Sequence, residues 1–335
     1  MRKSRTQVNE GKAPSKKQIR RAGDLLAGRK AGAMAPADKT EALAILGYWR
    51  AVHMAPLHKT LDLLESVCGR DESTILVSRL KRLESIIDKL RRSGHRSDLS
   101  QMQDLAGCRL IVPHDDDVRR MANEIGAAGV SIRKDYLTVP QDSGYRGMHL
   151  ICRHDAAGYQ GLRVEIQIRS RLQHAWATGV ETYDLIARGN LKAGEGKAEE
   201  RRYFQILSVL MNPGLEDERT LREELQAIDR QLNIYHRLRA AENSMFIQDS
   251  DKQICRAGSC LLTVNTEEQT INLEVYSAQE EAAAADKYTE LESPGQVGRI
   301  YLLARAASRE HLEIAFPNYF SGIREFMAQL KGLLQ

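Results

Sequence analysis

The stretch Leu162–Arg169 alternates apolar and polar residues without a break. Side chains of a β-strand alternate faces with period two. Leu162, Val164, Ile166 and Ile168 therefore share one face, and Arg163, Glu165, Gln167 and Arg169 share the other. A carboxylate flanked by two guanidiniums and an amide suits a metal-bound, phosphate-rich substrate; an ordinary solvated strand face has the same alternation. A second carboxylate, Asp104, stands in Asp-Leu-Ala-Gly-Cys-Arg, directly before the apolar run 108–112. Mg²⁺ favours one or two carboxylates plus substrate phosphate oxygens. Asp104 and Glu165 are a candidate Mg²⁺ pair if their strands adjoin; alone, Asp104 reads as a turn or cap residue.

Cations that could face such a pair lie nearby in the chain. Lys81, Ser85 and Lys89 fall at i, i+4 and i+8, one stripe of an expected helix, with Arg79 and Arg82 beside it. Such donors suit phosphoryl transfer, which depends on positioning and charge neutralisation; a solvated basic face is the plain alternative. Further on, Arg133-Lys134-Asp135-Tyr136 precedes Gly144-Tyr145-Arg146-Gly147-Met148-His149. Glycines around Tyr145 predict a loop that presents an aromatic ring. A base stacked on such a ring gains roughly 1–3 kcal/mol; a structural tyrosine in a hairpin is the other reading.

The elements that must hold these residues follow from patterning. Ser15 caps a short basic helix with Ile19, Ala22, Leu25 and Leu26 on one face. Residues 28–37 read as a linker, and Asp38 as the cap of a helix containing Trp49 and His53, bent or stopped near Pro56. Leu76, Leu80, Leu83, Ile87 and Leu90, at 4-3-4-3 spacing, predict a helix that starts after Asp71 or Ser73 and closes at Gly94. Strands are expected at 108–112, 132–139, 147–153 and 162–169, and helices at 117–127, 171–187 and 201–211. The segment 189–200 reads as a loop. Pro213-Gly214 breaks the chain before one long helix, roughly 217–242. From 252 the texture is ββαβα, with no paired carboxylates and no glycine-rich phosphate loop.

The expected fold class is α+β, a mixed sheet flanked by helices plus a small C-terminal α+β module. The expected division is a basic segment and linker at 1–37, a main domain at 38–245 and an accessory module at 252–335. The net charge of +4 does not demand a nucleic-acid partner, and 5% aromatic residues argue against a multi-base stacking platform. No apolar run approaches the ~20 residues of a membrane span. A basic N-terminus without an apolar core predicts no secretory signal. Five cysteines, mostly in apolar stretches, suit free thiols and a cytoplasmic location. Cys255 and Cys260 lack a second pair at finger spacing, so a four-ligand zinc site is not expected.

In this order the pieces resemble the synthetase domain of the RelA/SpoT family. The resemblance spans roughly residues 45–185. It is carried by Arg79/Lys81/Ser85/Lys89, Asp104-x-x-Gly-x-Arg109, Lys134-Asp135-Tyr136, Gly144-Tyr145-x-x-x-His149 and Glu165-Ile-Gln167-Ile-Arg169, then His174-x-Trp176-Ala177. It implies a nucleotidyltransferase-related sheet and transfer of pyrophosphate from ATP to a 3′-hydroxyl of GDP or GTP, giving (p)ppGpp. By the same resemblance Asp104 and Glu165 hold Mg²⁺, and Glu165 also serves the acceptor hydroxyl as base. Arg79 and Arg109 lie near the adenine or phosphates of ATP, and Lys81, Ser85, Lys89 and Lys134 on the phosphate side. Tyr145 stacks on the acceptor base, with His149, Gln167 and Arg169 lining that side.

The sequence departs from the family at Gly147, where serine is usual, at Ile132 in place of arginine, and in the 173–181 helix. The family's hydrolase would need more residues than stand upstream, so a synthetase without it is expected. Two other readings stay open. One is pyrophosphorylation of the 3′ end of tRNA, as in toxic small alarmone synthetases, restrained by the C-terminal module; ten Lys/Arg against two acids in residues 2–30 could engage RNA phosphates. The other is a non-catalytic nucleotide-binding regulator. Homo-oligomerisation is a further expectation from the resemblance.

Overall fold

A computed structural model describes residues 13–29, 35–69, 73–93, 97–156, 158, 161–187, 189, 191, 194–212, 218–242, 258–268, 270–292, 298–320 and 322–335. The basic segment 1–12, much of the 28–37 linker, Asp71, Gly94, Pro213-Gly214 and Cys255 lie outside the described residues.

The chain opens with three helices, α1 (Lys16–Leu26), α2 (Pro36–Val52) and α3 (Met54–Cys68). Ser15 caps α1 through a box with Gln18. On α2, Pro36 takes the first position and Asp38 lies in the first turn, so the expected Asp38 cap is corrected to Ala35. Pro56 opens α3 rather than ending α2, because a proline's missing N–H costs nothing in a first turn.

Next come β1 (Ile75–Leu80), α4 (Leu83–Ser93), β2 (Ala106–Val112), α5 (Asp115–Ala127), β3 (Ser131–Asp135), β4 (Met148–His154) and β5 (Leu162–Ser170). The single helix expected over the Leu76–Leu90 stripe is thus a strand followed by a helix. β1 pairs with neighbours on both edges and is covered on both faces, Leu80 by the α3 side and Val77 by the α11 side, so its apolar run imitates a helical stripe. Helices α6 (Arg171–Ala187), α7 (Ala198–Leu210), α8 (Glu218–Leu232) and α9 (Ile234–Glu242) follow. The long helix expected at 217–242 breaks at Asn233, whose φ of 52° is left-handed.

The chain ends with β6 (Ser259–Asn265), β7 (Thr270–Tyr276), α10 (Glu281–Leu291), β8 (Arg299–Ala306), α11 (Arg309–Ala315) and α12 (Arg324–Leu334). The ββαβα order is present with one helix more, α11. Its three strands do not form a sheet of their own. They extend one eight-stranded mixed sheet of order β3-β4-β5-β2-β1-β8-β6-β7.

Residues paired across a sheet put their side chains on one face, and this register positions the site. β2 and β5 run parallel, with Gly107 opposite Glu165, Arg109 opposite Gln167 and Ile111 opposite Arg169. Arg79 pairs with Gly107 from β1, and His149 with Gln167 from β4. Arg79, Arg109, Glu165, Gln167, Arg169 and His149 therefore share one face. The opposite face buries Leu110, Val112, Val164 and Ile166 with residues of α3, α5 and α10. On the site face, the β1–β8–β6 half buries Val77, Ala304, Leu302 and Leu262 with Leu312, Ala315, Phe316, Tyr319 and Phe320. A buried ion pair, Arg50 to Glu292 at 2.7 Å, fastens the α10 end to α2. Tyr288 lies under the same guanidinium.

Candidate functional site

Asp104 sits in the turn before β2. The backbone N–H of Lys81 donates to the Leu105 carbonyl at 2.8 Å, which sets Lys81 beside that turn. Lys81 and Lys89 place their Nζ atoms 3.1 Å and 2.7 Å from the same oxygen, Oδ2 of Asp104. The two lysines arrive from the β1–α4 junction and from α4, so the expected single helical stripe is corrected, although both reach one carboxylate. Ser85 and Lys89 do lie one turn apart on α4. Burial pushes the Asp104 carboxyl up, but Lys81 and Lys89 outweigh it and hold it below its ordinary value. Glu165 acts on Asp104 in the opposite sense, so the two carboxylates are within electrostatic reach of each other. The second oxygen of Asp104, Oδ1, is buried and has no hydrogen-bond partner among the described residues. A buried unpartnered carboxylate oxygen is costly unless something pairs it. Hard cations bind oxygen, so Asp104 Oδ1 with Glu165 alongside fits Mg²⁺.

Glu165 is held by its neighbours on the sheet face. Nδ1 of His149 donates to Oε1 at 3.1 Å, and Nε2 of Gln167 donates to Oε2 at 2.7 Å. Burial pushes this carboxyl up; the bond and charge of His149, then the bond from Gln167, prevail and lower it to about 2. The network closes on itself. Arg169 donates through Nη2 to Oε1 of Gln167 at 3.0 Å and through Nε to the Tyr145 hydroxyl at 3.1 Å. That hydroxyl lies 2.7 Å from Nε2 of His149. Arg169 only donates, so the Tyr145 hydroxyl accepts from it and shares its remaining contact with the imidazole of His149.

Tyr145 is 3% exposed and stacks under the Arg169 guanidinium, 4.9 Å from it. Its ring therefore faces inward here, not out of a loop towards a base. The half-buried ring of Tyr136 packs edge-on to both Tyr145 and His149, at 5.6 Å and 5.3 Å between centroids. Gly147 makes this packing possible. Its φ is 143°, and a Cβ there would lie 3.0 Å from the Ile168 carbonyl and 3.2 Å from the Tyr145 hydroxyl. A serine here would be strained by that φ and would crowd these neighbours by a few tenths of an ångström. Lys134 is exposed on β3, opposite His149 in the register.

Arg79 and Arg109 lie on the other flank. Arg109 is 8% exposed; burial, with Arg169 and Arg79 adding repulsion, lowers it to about 9. Its Nη1 donates to the Ala315 carbonyl at 2.6 Å, a contact 206 positions away that no local pattern announces. His174 of the resemblance motif, Arg82 of the expected cation group and Glu181, which the sequence assigned no role, reach the same C-terminal turn.

Glu165 on β5 and Asp104 in the turn that leads into its parallel neighbour β2 thus lie among lysines and arginines on one face of a mixed sheet. Residues 78–184 match the region described as found in RelA/SpoT proteins. GTP pyrophosphokinase YjbM of Bacillus subtilis is 30% identical over 123 residues, 35% of this chain and 58% of that protein. GTP pyrophosphokinase YwaC of the same organism is 32% identical over 111 residues, 30% of this chain and 53% of that protein. The chain thus spans little more than half the length of these relatives. Small alarmone synthetase 1 from Bacillus subtilis, solved bound to its product pppGpp, is similar at 24% identity and a TM-score of 0.37, covering 55% of this chain and 94% of that one. Among the described residues no helix is long and apolar enough to cross a membrane.

Proposed function

We propose that the protein is an ATP-dependent pyrophosphotransferase that moves the β,γ-pyrophosphate of ATP to the 3′-hydroxyl of GDP or GTP. The observation that carries this reading is the Asp104 carboxylate, bridged on one oxygen by Lys81 and Lys89, unpartnered on the other among the described residues, and within electrostatic reach of Glu165. The two matched relatives named as GTP pyrophosphokinases support it. In the reaction the acceptor 3′-hydroxyl oxygen attacks the β-phosphorus, the bond from that phosphorus to the α,β-bridging oxygen breaks, AMP leaves, and the hydroxyl proton is released to water. Asp104 and Glu165 would hold Mg²⁺, which when bound supplies charge neutralisation to the transferring phosphates. Lys81 and Lys89 bring positive charge to the same place. Glu165, ionised at neutral pH, accepts a hydrogen bond from the attacking hydroxyl and orients it. The ring of Arg169, Tyr145, His149 and Gln167 keeps that carboxylate in one direction.

The test is label transfer from γ-labelled ATP to GDP, GTP and deacylated tRNA, with Glu165→Gln alongside. Label in pppGpp or ppGpp supports the proposal. Transfer to no acceptor supports the non-catalytic regulator instead. A second reading, tRNA as acceptor, is favoured by α1, whose Lys16, Lys17, Arg20 and Arg21 are all exposed. Label on tRNA alone would select it.

A further inference from the structure

The turn after α11 lies on the donor flank of the site. His174 donates through Nε2 to the Ile314 carbonyl at 2.7 Å, and Arg109 donates to the Ala315 carbonyl at 2.6 Å. The ring of Phe316 is faced by two guanidiniums, Arg79 at 5.7 Å and Arg109 at 5.5 Å from its centroid. Asn318 donates to Glu181 at 2.9 Å, and Arg82 to the Tyr319 hydroxyl at 3.3 Å. Phe316, Tyr319 and Phe320 are buried in these contacts.

The charges make this an unusual piece of packing. Arg169 and Arg79 both repel Arg109, the Glu181 carboxylate attracts it less strongly, and among the described residues none of the three arginines has a carboxylate within ion-pair distance. Two of the three are instead satisfied by a carbonyl oxygen and the face of a ring. A carbonyl and an aromatic quadrupole partly satisfy a guanidinium. A purine ring joined to phosphates offers the same groups, a flat π face and acceptor oxygens, with full negative charge added. The turn is held down beyond the site as well. Phe326 of α12 packs so closely on Gly179 of α6 that a Cβ there would lie 2.6 Å from its ring.

We propose that the turn Ile314–Phe320 is an internal ligand of the donor site, with Phe316 standing where a purine ring of the nucleotide would lie between Arg79 and Arg109, so that ATP binds only when the turn lifts. This rests on the ATP reading above. Apparent affinity for ATP is then the intrinsic affinity reduced by the fraction of molecules with the turn lifted. Phe316 gains a role that a core phenylalanine lacks: it competes with substrate.

Two measurements on the full-length chain test this. Calorimetric titration with ATP and Mg²⁺ compares the unmodified protein with Phe316→Ala and the bulk-retaining Phe316→Leu. Hydrogen exchange follows residues 309–320 of the unmodified protein with and without saturating ATP. The expected results are at least tenfold tighter ATP binding by Phe316→Ala and faster exchange at 314–320 when ATP is present, with α1 unchanged. Equal affinity in all three proteins, unchanged exchange at saturating ATP, or no ATP binding by any of them overturns the proposal. If Phe316→Ala fails to fold by circular dichroism, Phe316→Leu and the exchange data decide. Tighter ATP binding without transfer to any acceptor would leave the internal ligand standing and remove the transferase reading alone.

Discussion

One face of the sheet has two halves that begin from the same geometry. On β4, β5 and β2 the residues facing out are His149, Glu165, Gln167, Arg169 and Arg109. On β1, β8 and β6 the corresponding rows hold Val77, Ala304, Leu302 and Leu262. The apolar half is covered by α11 and the turn that follows it. The polar half keeps its charges in an organised hydrogen-bonded array instead of being filled by hydrocarbon. Burying such groups is expensive unless each finds a partner. The cyclic network around Glu165 meets that requirement for one carboxylate, and the open oxygen of Asp104 leaves it unmet for the other. The difference separates a surface filled by hydrocarbon from one lined with charge. Phe316 sits at the frontier, with its ring in the apolar cluster and two arginines against it.

The largest expected effect lies behind the sheet, where α10 backs the strands that carry the apolar half. Glu292→Ala leaves Arg50 charged and buried without its partner, at an expected cost of about 3–5 kcal/mol in denaturant unfolding. A loss below about 1 kcal/mol would show that this clasp is not what holds the C-terminal half in place. On the polar side, Glu165→Gln is expected to reduce label transfer by about 10²- to 10³-fold with little change in the circular dichroism spectrum. A comparable loss of fold would make the array structural. Gly147→Ser puts a side chain where φ is 143° and space is short, and is expected to lower stability by roughly 1–3 kcal/mol in thermal unfolding.

The smallest effect is with pH. Glu165 is held below its ordinary 4.5, so its stabilising contribution is complete above that pH and fades as pH falls towards about 2. The gap in melting temperature between the unmodified protein and Glu165→Gln should narrow as pH drops from 5 to 3. A constant gap would mean that the carboxylate charge is not what the array holds.

Much of the polar half was legible in the sequence because it depends on period two and short motifs. The 162–169 alternation fixed the face of Glu165, Gln167 and Arg169, and the strand after Asp104 brought the second carboxylate alongside. What failed was local competition between patterns. The leucines from 76 to 90 fit a helical stripe as well as they fit a buried central strand, and only pairing with β2 and β8 decides between them. Tyr145 was readable as an aromatic near glycines, but its inward rotation depends on Arg169 and on the room that Gly147 leaves. The contacts of Arg109 with Ala315 and Phe316 were out of reach, since a separation of about two hundred residues carries no periodic signal. Arg50 with Glu292 was hidden for the same reason.

The pairing of β1 with β8 also bears on how the protein is made. Arg79 and Ala304 are neighbours in the sheet yet are separated by more than two hundred residues of chain. While a ribosome is still translating the intervening stretch, β1 has an open edge with nothing to close it. Exposed strand edges invite wrong pairing, and sheets closed by distant strands form slowly. The nascent chain therefore passes through an interval in which β1 is vulnerable to aggregation, and chaperone dependence and slow refolding after dilution from denaturant are the expected signs.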